Sequence, residues 1–346
     1  RRKQMSINPE ERIKSLTVEY LYAKMAQINI SELMTAVKVA PSYKEMVESQ
    51  TSPDILVPNY VNERDYFGKR PYLNKNAILL YIYLHFINPN ASGRVKLAIK
   101  PASDFLSLPA KTIRFNLRNL LRHGYIQYIN DEIGVYTIYI NGYSEKGQTA
   151  SDGFKGYFNV TLDTFKELIK VSSINELRIQ LRGLMQCCPG INNGRLEHIS
   201  FSDIKRFFPS YIHIKDIKHL LVTDLTLTMF NVKFTADEKF CMIKAKDNYD
   251  PVKVKNGIVS DCEQKVKKLV KKMLSQKKYA ATALLFSDKN INDISKISLR
   301  LPVNDILCGI ESLFENYSGA RVSNIGGLVR VLSQEHYDNR IIVSSQ

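Results

Sequence analysis

Lys100–Ile129 reads KPASDFLSLPAKTIRFNLRNLLRHGYIQYI, and its punctuation decides the fold. Ala102 or Ser103 starts a helix of one to two turns, Ser107-Leu108-Pro109 turns the chain, and Ala110 starts a longer helix that Gly124 closes at a C-cap position. Tyr125–Ile129 then predicts a strand, Asn130–Gly134 a hairpin loop and Val135–Ile140 the returning strand. Upstream, Asn74–Ile87 predicts an apolar helix capped by Asn74, followed by a loop over Asn88–Gly93 and a short strand over Arg94–Ile99.

A helical wheel sorts the long helix. With Lys111 at 0° and about 100° per residue, Ile113, Leu117, Leu120 and Leu121 fall between about 180° and 280°, one stripe for a core. Lys111, Phe115, Arg118, Asn119 and Arg122 fall between about 340° and 80°; Thr112 and Asn116 border that face on one side and Arg114 on the other. Such a set suits a DNA groove: Arg and Lys for phosphates and guanine edges, Asn for adenine, Thr for thymine methyls. A lone amphipathic helix would carry the same charges merely to be solvated; the short helix, turn and hairpin around this one favour groove reading. Phe115 fits least well and is expected to pack on the first helix or meet a thymine methyl. Asp131 and Glu132 make the hairpin itself poorly suited to phosphate.

Helix, strand, helix, turn, helix and hairpin, in that order, is the winged helix-turn-helix arrangement, whose second helix enters the major groove. The run LSLPAKTIRFNLRNLLRHGYIQY resembles the recognition segment of winged-helix regulators of the GntR and MarR kind. It is similar also to the initiator modules of plasmid and phage replication proteins, with a polar helix, an x-x-L-x-x-L-x-x-x-G-[LY]-I ending and a strand. The resemblance covers only the first module and identifies a superfold rather than a family.

Gly156 to about Lys246 repeats the scheme. Helices are expected at Leu162–Lys170 and Ile174–Cys188; Ser200 caps Phe201–Phe207, Pro209-Ser210-Tyr211 turns, and His213–Leu221 is helical. Strands Leu225–Phe234 and Lys239–Lys244 close a hairpin at Thr235–Glu238, with His213, Lys215, Lys218 and His219 outward. Two readings stand open for this module, a second DNA reader and a dimerisation or packing unit. In the tail, Ser260 is expected to cap DCEQKVKKLVKKMLSQKK, with Val266, Leu269, Val270 and Met273 as its apolar stripe and Lys265, Lys267, Lys268, Lys271 and Lys272 beside it. That face suits phosphate tracking, plain solvation or a membrane surface; the last lacks aromatic anchors. Helices at about Ala280–Phe286, Asn304–Tyr317 and Ser323–Tyr337 complete a small bundle. SNIGGLVRVLSQEHYDN faintly resembles the closing helix of some replication initiators and DnaD-type loaders. At the other end, helices are expected from Asn8–Pro9 to about Ala26 and from Ser31 to about Pro41; loops are expected over Ser49–Pro58 and Gly142–Gly156, and a linker over Asn248–Gly257 around Pro251.

Composition agrees with a polyanion partner. The net charge is +15 and the pI about 9.4. Arg94–His123 holds seven Lys/Arg against one acid and Lys255–Lys278 eight lysines against two, so two short windows carry most of the surplus. The five cysteines lack metal spacing and are expected to be reduced, packed thiols. No apolar run spans a bilayer, and Arg1, Arg2 and Lys3 precede no signal-peptide core. Gly142–Thr149 has Gln148 where a phosphate-binding loop needs lysine, His213 is not followed by the second metal-binding His of a rolling-circle nickase, and no G-x-S-x-G occurs.

These readings combine into an expectation. The fold class is mainly α with small β-hairpin wings (α+β), built as tandem winged-helix modules plus a helical C-terminal bundle. Its parts are a helical arm over 1–70, a first winged helix over 71–145, a second over 156–250 and a helical domain over 256–346. The expected function is sequence-specific binding of double-stranded DNA as a replication initiator of a plasmid, phage or mobile element. A transcription regulator is the alternative, with a DNA-processing enzyme such as a recombinase behind both. Catalysis, a cofactor and a metal are not expected. Expected partners are duplex DNA, a second copy of the chain and the replication or transcription machinery, without a membrane, in the nucleoid-associated cytoplasm. The expected DNA contacts are Lys100, Lys111, Thr112, Arg114, Phe115, Asn116, Arg118, Asn119, Arg122, Lys215, Lys218, Lys267, Lys268 and Lys271.

Overall fold

A computed structural model describes residues 22–29, 33, 73–90, 92–132, 135–143, 157–187, 198–209, 211–276, 279, 282, 284–317, 322 and 324–344. It is mostly helical with small antiparallel sheets, an α+β arrangement. The chain divides into two compact units: Gln27–His85 with Pro89–Pro251, and Arg1–Ala26 with Phe86–Asn88 and Val252–Gln346. The part of the N-terminal helix expected before residue 22, nearly all of the second arm helix, the loop over Ser49–Pro58, most of Gly142–Gly156, and Ala280, Ala281 and Ala283 of the helix expected over Ala280–Phe286 lie outside the described residues. Met25 and Ala26, expected to end a helix, instead begin strand β1 (Met25–Asn29), which forms a two-stranded sheet with β5 (Tyr157–Thr161).

The first module begins with α1 (Lys75–Phe86), N-capped by Asn74, whose Oδ1 accepts from the Ala77 N–H at 2.8 Å. Ala77 through Ile87 are all buried, as expected of a helix that is apolar on every side. β2 (Arg94–Ala98) leads straight into α2 (Ile99–Leu106). This helix starts earlier than Ala102 because Pro101 falls in its first turn, where a missing N–H costs nothing. Ser107 ends α2 in the left-handed conformation (φ 52°), and the Leu108 N–H donates to Ser103 O at 3.0 Å, fixing the turn into α3 (Ala110–Arg122).

Gly124 (φ 70°) closes α3. Its N–H donates to Leu121 O at 3.0 Å and that of Tyr125 to Leu120 O at 2.9 Å, the paired bonds of a Schellman motif. β3 (Ile126–Glu132) runs further than expected before β4 (Val135–Ile140) returns, with a register shift between Asn130 and Glu132. The sheet order is β2-β4-β3, all antiparallel.

The second module follows the same order with one more helix before its hairpin. After α4 (Leu162–Ile169) comes α5 (Ile174–Gln186), N-capped by Ser173; then β6 (His198–Ser200), α6 (Phe201–Lys205), α7 (Ile214–Leu221), α8 (Asp224–Met229), β7 (Phe230–Phe234) and β8 (Phe240–Ala245). Its sheet order, β6-β8-β7, matches the first strand for strand. Leu225 to Met229, expected as strand, is helical because Thr223 caps α8 by accepting from the Thr226 N–H, and Gln180 Nε2 donates to the buried Thr226 hydroxyl at 2.7 Å. α5 reaches the sheet at Gly183, where an added Cβ would lie 3.1 Å from the Phe230 ring and 3.3 Å from Ile243. The two modules touch directly: Lys75 Nζ donates to Val171 O at 2.8 Å, and the Phe105 and Phe165 rings stack at 5.7 Å.

The other unit contains α9 (Pro251–Leu274), α10 (Asp288–Ser295), a 3-10 turn (Lys296–Leu299), α11 (Val303–Asn316) and α12 (Ile325–Ser344). The expected break near Pro251 and cap at Ser260 are corrected: Pro251 is the first helical residue, suited by its fixed φ, and Ser260 lies mid-helix. Val266, Leu269, Val270 and Met273 of α9 join Ile306, Ile310, Leu313 and Phe314 of α11 and Val329 and Leu332 of α12 in one core. α11 and α12 approach so closely at Gly309 that a Cβ there would sit 2.6 Å from Ser333 Oγ.

Candidate nucleic-acid interface

The long cationic helix α3 rests on its buried residues Ile113, Asn116, Leu117 and Leu120. On the wheel these span about 140° to 240°. The buried arc is therefore rolled by roughly 40° from the one that leucine positions alone imply. Leu121, counted on the core stripe, is 38% exposed, and Asn116, expected at the DNA surface, is 1% exposed with its Nδ2 donating to Thr112 O at 2.9 Å. Asn116 is thus withdrawn from the DNA-facing set. The reason is tertiary: α2 and β3 both pack on α3, and their placement sets its roll.

The opposite face is what remains exposed. Lys111, Arg114, Phe115, Arg118 and Arg122 are exposed, while Thr112 and Asn119 are partly buried at its edge. No ion pair with an acid is found for Lys111, Arg114 or Arg118 among the described residues. Phe115 is 62% exposed, so it does not pack on the first helix. Lys100, exposed on neighbouring α2, adds a further cation. Four basic side chains on little more than three turns, without an interleaved acid, form a surface that attracts polyanions and leaves one large ring for an apolar contact.

α7 is a different surface. Its N-terminus is closed by Asp216, whose carboxylate accepts from the His213 N–H at 2.8 Å, so this acid serves the helix rather than facing outward alone. His213, Lys215 and His219 are exposed as expected. Lys218 is not free: it pairs with Glu238 at the hairpin tip and lies 5.2 Å from the centre of the Phe201 ring. Exposed Tyr211, Ile214 and Val222 make the rest of this side apolar.

Lys267 of α9 is likewise engaged, with Glu263 at 2.7 Å and Asp288 at 3.3 Å, and these carboxylates hold its ammonium above the usual lysine range. Lys265 pairs with Asp261. Lys268, Lys271 and Lys272 are exposed, with no acid partner among the described residues. The cationic face of α9 is therefore narrower than its lysine count implies.

The residues sequence reasoning missed stand on the second sheet. Asn231 pairs in register with Lys244, Lys233 with Met242, and Met242 with His198. Directly opposed residues share a face, so His198, Asn231, Lys233, Lys244 and Phe240 stand together on the outer side, and all are exposed. The inner side carries buried Ile199, Phe230, Cys241, Ile243 and Ala245. Asn231 and Lys233 alternating with apolar residues along β7 were the signal; on β8 only Lys244 is polar, so the face is legible only with the pairing known.

Among the described residues no group of His, Cys, Asp and Glu could hold a metal ion, and no helix is long and apolar enough to cross a membrane. Cys241 is a packing thiol: burial pushes it up to about 12, out of the reactive range. No protein-family model matches the chain, and no curated protein matches it.

Proposed function

We propose that this chain binds double-stranded DNA in a sequence-specific manner through tandem winged-helix modules, with α3 as the recognition helix, and that it serves as a replication initiator. The observation carrying the DNA reading is the exposed face of α3: Lys111, Arg114, Arg118 and Arg122 stand together with no acid between them, on a helix held by a buried arc and a Schellman closure. The initiator reading is supported by the matching strand orders of two directly packed modules, which suit a long DNA site, and by the additional cations of α9.

The test is fluorescence anisotropy of the full chain on duplex DNA across a salt series. The double variant Arg118→Ala/Arg122→Ala is expected to bind more weakly and to flatten the log–log salt slope by about two units, roughly 0.9 for each phosphate no longer neutralised. Unchanged affinity and slope would remove α3 as the interface. Recovery of repeated sites near a replication origin in a genomic pull-down supports the initiator; recovery of promoters alone overturns it in favour of a transcription regulator.

A further inference from the structure

We infer that the second module grips DNA with the outer face of its sheet rather than with its helix, as a phosphate-binding wing. This rests on the duplex-DNA reading above. Three observations carry it.

The first is composition by register. The rows Asn231–Lys244 and Lys233–Met242–His198 lie side by side on one exposed face, with Phe240 towards the tip. Adjacent rows are separated by about 7 Å, so the two ammonium groups can meet neighbouring parts of one phosphate strand. No acid occupies this face among the described residues.

The second is the fate of the acids at the hairpin tip. The Asp237 carboxylate accepts from the Thr235 hydroxyl at 2.6 Å and from the Lys239 N–H at 3.1 Å, which keeps it inside the turn. Glu238, at φ 52°, pairs with Lys218 of α7. Both carboxylates are occupied locally, Asp237 by hydrogen bonds within the turn and Glu238 by its ion pair with Lys218.

The third is preorganisation. The Thr235 N–H donates to Phe240 O at 3.0 Å, the Phe240 N–H returns to Thr235 Oγ1 at 3.2 Å, and the Glu238 N–H donates to Thr235 O at 2.9 Å. With the Lys218–Glu238 tie, the hairpin is held before any ligand arrives, so little ordering entropy opposes binding. α7, by contrast, has eight residues, one of its lysines already paired, and apolar exposure at Ile214 and Val222. The charge suited to a DNA backbone is on the strands.

The experiment uses the full chain carrying Lys233→Ala/Lys244→Ala, with anisotropy on two unrelated duplexes over a salt series. Thermal unfolding should match wild type, because both side chains are exposed. The salt slope should fall by about two units, equally on both duplexes, since phosphate contacts carry no sequence information. The companion Lys233→Arg/Lys244→Arg should keep the wild-type slope. If wild type binds DNA and the alanine pair leaves its slope unchanged, the wing is refuted while α3 stands as the interface. A loss confined to one duplex would also overturn it, because that is base reading. If wild type binds neither duplex, the DNA reading and the wing fall together.

Discussion

The two modules share a strand order but differ in the charge their helices display. In the first, exposed cations stand on the thirteen-residue α3 as well as at Arg94 and Lys96 of β2. In the second, α7 has eight residues and a lysine tied to the hairpin, and the exposed lysines with clear register stand on β7 and β8. A common topology therefore does not dictate which surface displays charge: helix length and strand register bear on that, and helix length differs between two modules of one strand order.

Several substitutions would break or sharpen this contrast. The largest effect should come from Leu117→Ala, which removes a buried side chain from under α3 and is expected to cost about 2–5 kcal/mol in denaturant unfolding. A loss below about 1 kcal/mol would mean that the buried arc does not anchor the cationic face. Gly183→Leu should cost about 1–3 kcal/mol by driving α5 off Phe230 and Ile243. α1 of the first module contains no glycine, so this close approach of a helix has no counterpart on α1.

Charge reversal compares the helices directly. Arg118→Glu on α3 is expected to lower duplex affinity about tenfold or more, Lys215→Glu on α7 only about threefold, and equal losses in anisotropy titrations would erase the distinction. Lys218→Ala should change stability by less than about 1 kcal/mol, since its partner Glu238 is largely exposed. Its visible consequence should be faster amide exchange at the hairpin tip, and unaltered exchange would show that the tie does not brace the hairpin.

The smallest effect concerns pH. Hydrogen bonds from Thr235, then from the Lys239 N–H, hold the Asp237 carboxyl below its ordinary value of 3.8. A depressed folded value means a contribution present above 3.8 and lost as pH falls through the lower folded value. Protection of the tip amides, taken relative to their intrinsic exchange rates, should therefore fall on acidification below 3.8, and Asp237→Asn should abolish that dependence. Protection that does not change with pH in the wild type would rule the effect out.

Much of the frame was legible in the chain itself. Asn74 and Ser200 marked helix starts where caps are found, and Gly124 marked the end of α3, because capping is a local matter of one side chain and a few backbone groups. Apolar spacing placed α1, α3, α5, α7 and the first hairpin. Local cues failed where competing signals were close in strength: Met25–Asn29 is strand rather than helix, Asp224–Met229 helix rather than strand, and Ser260, a good cap, lies inside α9.

What the amino-acid order determined by itself was the succession of elements, the two cationic windows and the amphipathic character of α3. Those follow from short-range preferences and from charge, which need no partner in space. Only tertiary packing decided that α3 rolls to bury Asn116 and expose Leu121, that Lys218 meets Glu238 and Lys267 meets Asp288, and that Lys233 and Lys244 share one face. Each of those outcomes depends on neighbours distant along the chain, which periodicity within a single segment does not contain.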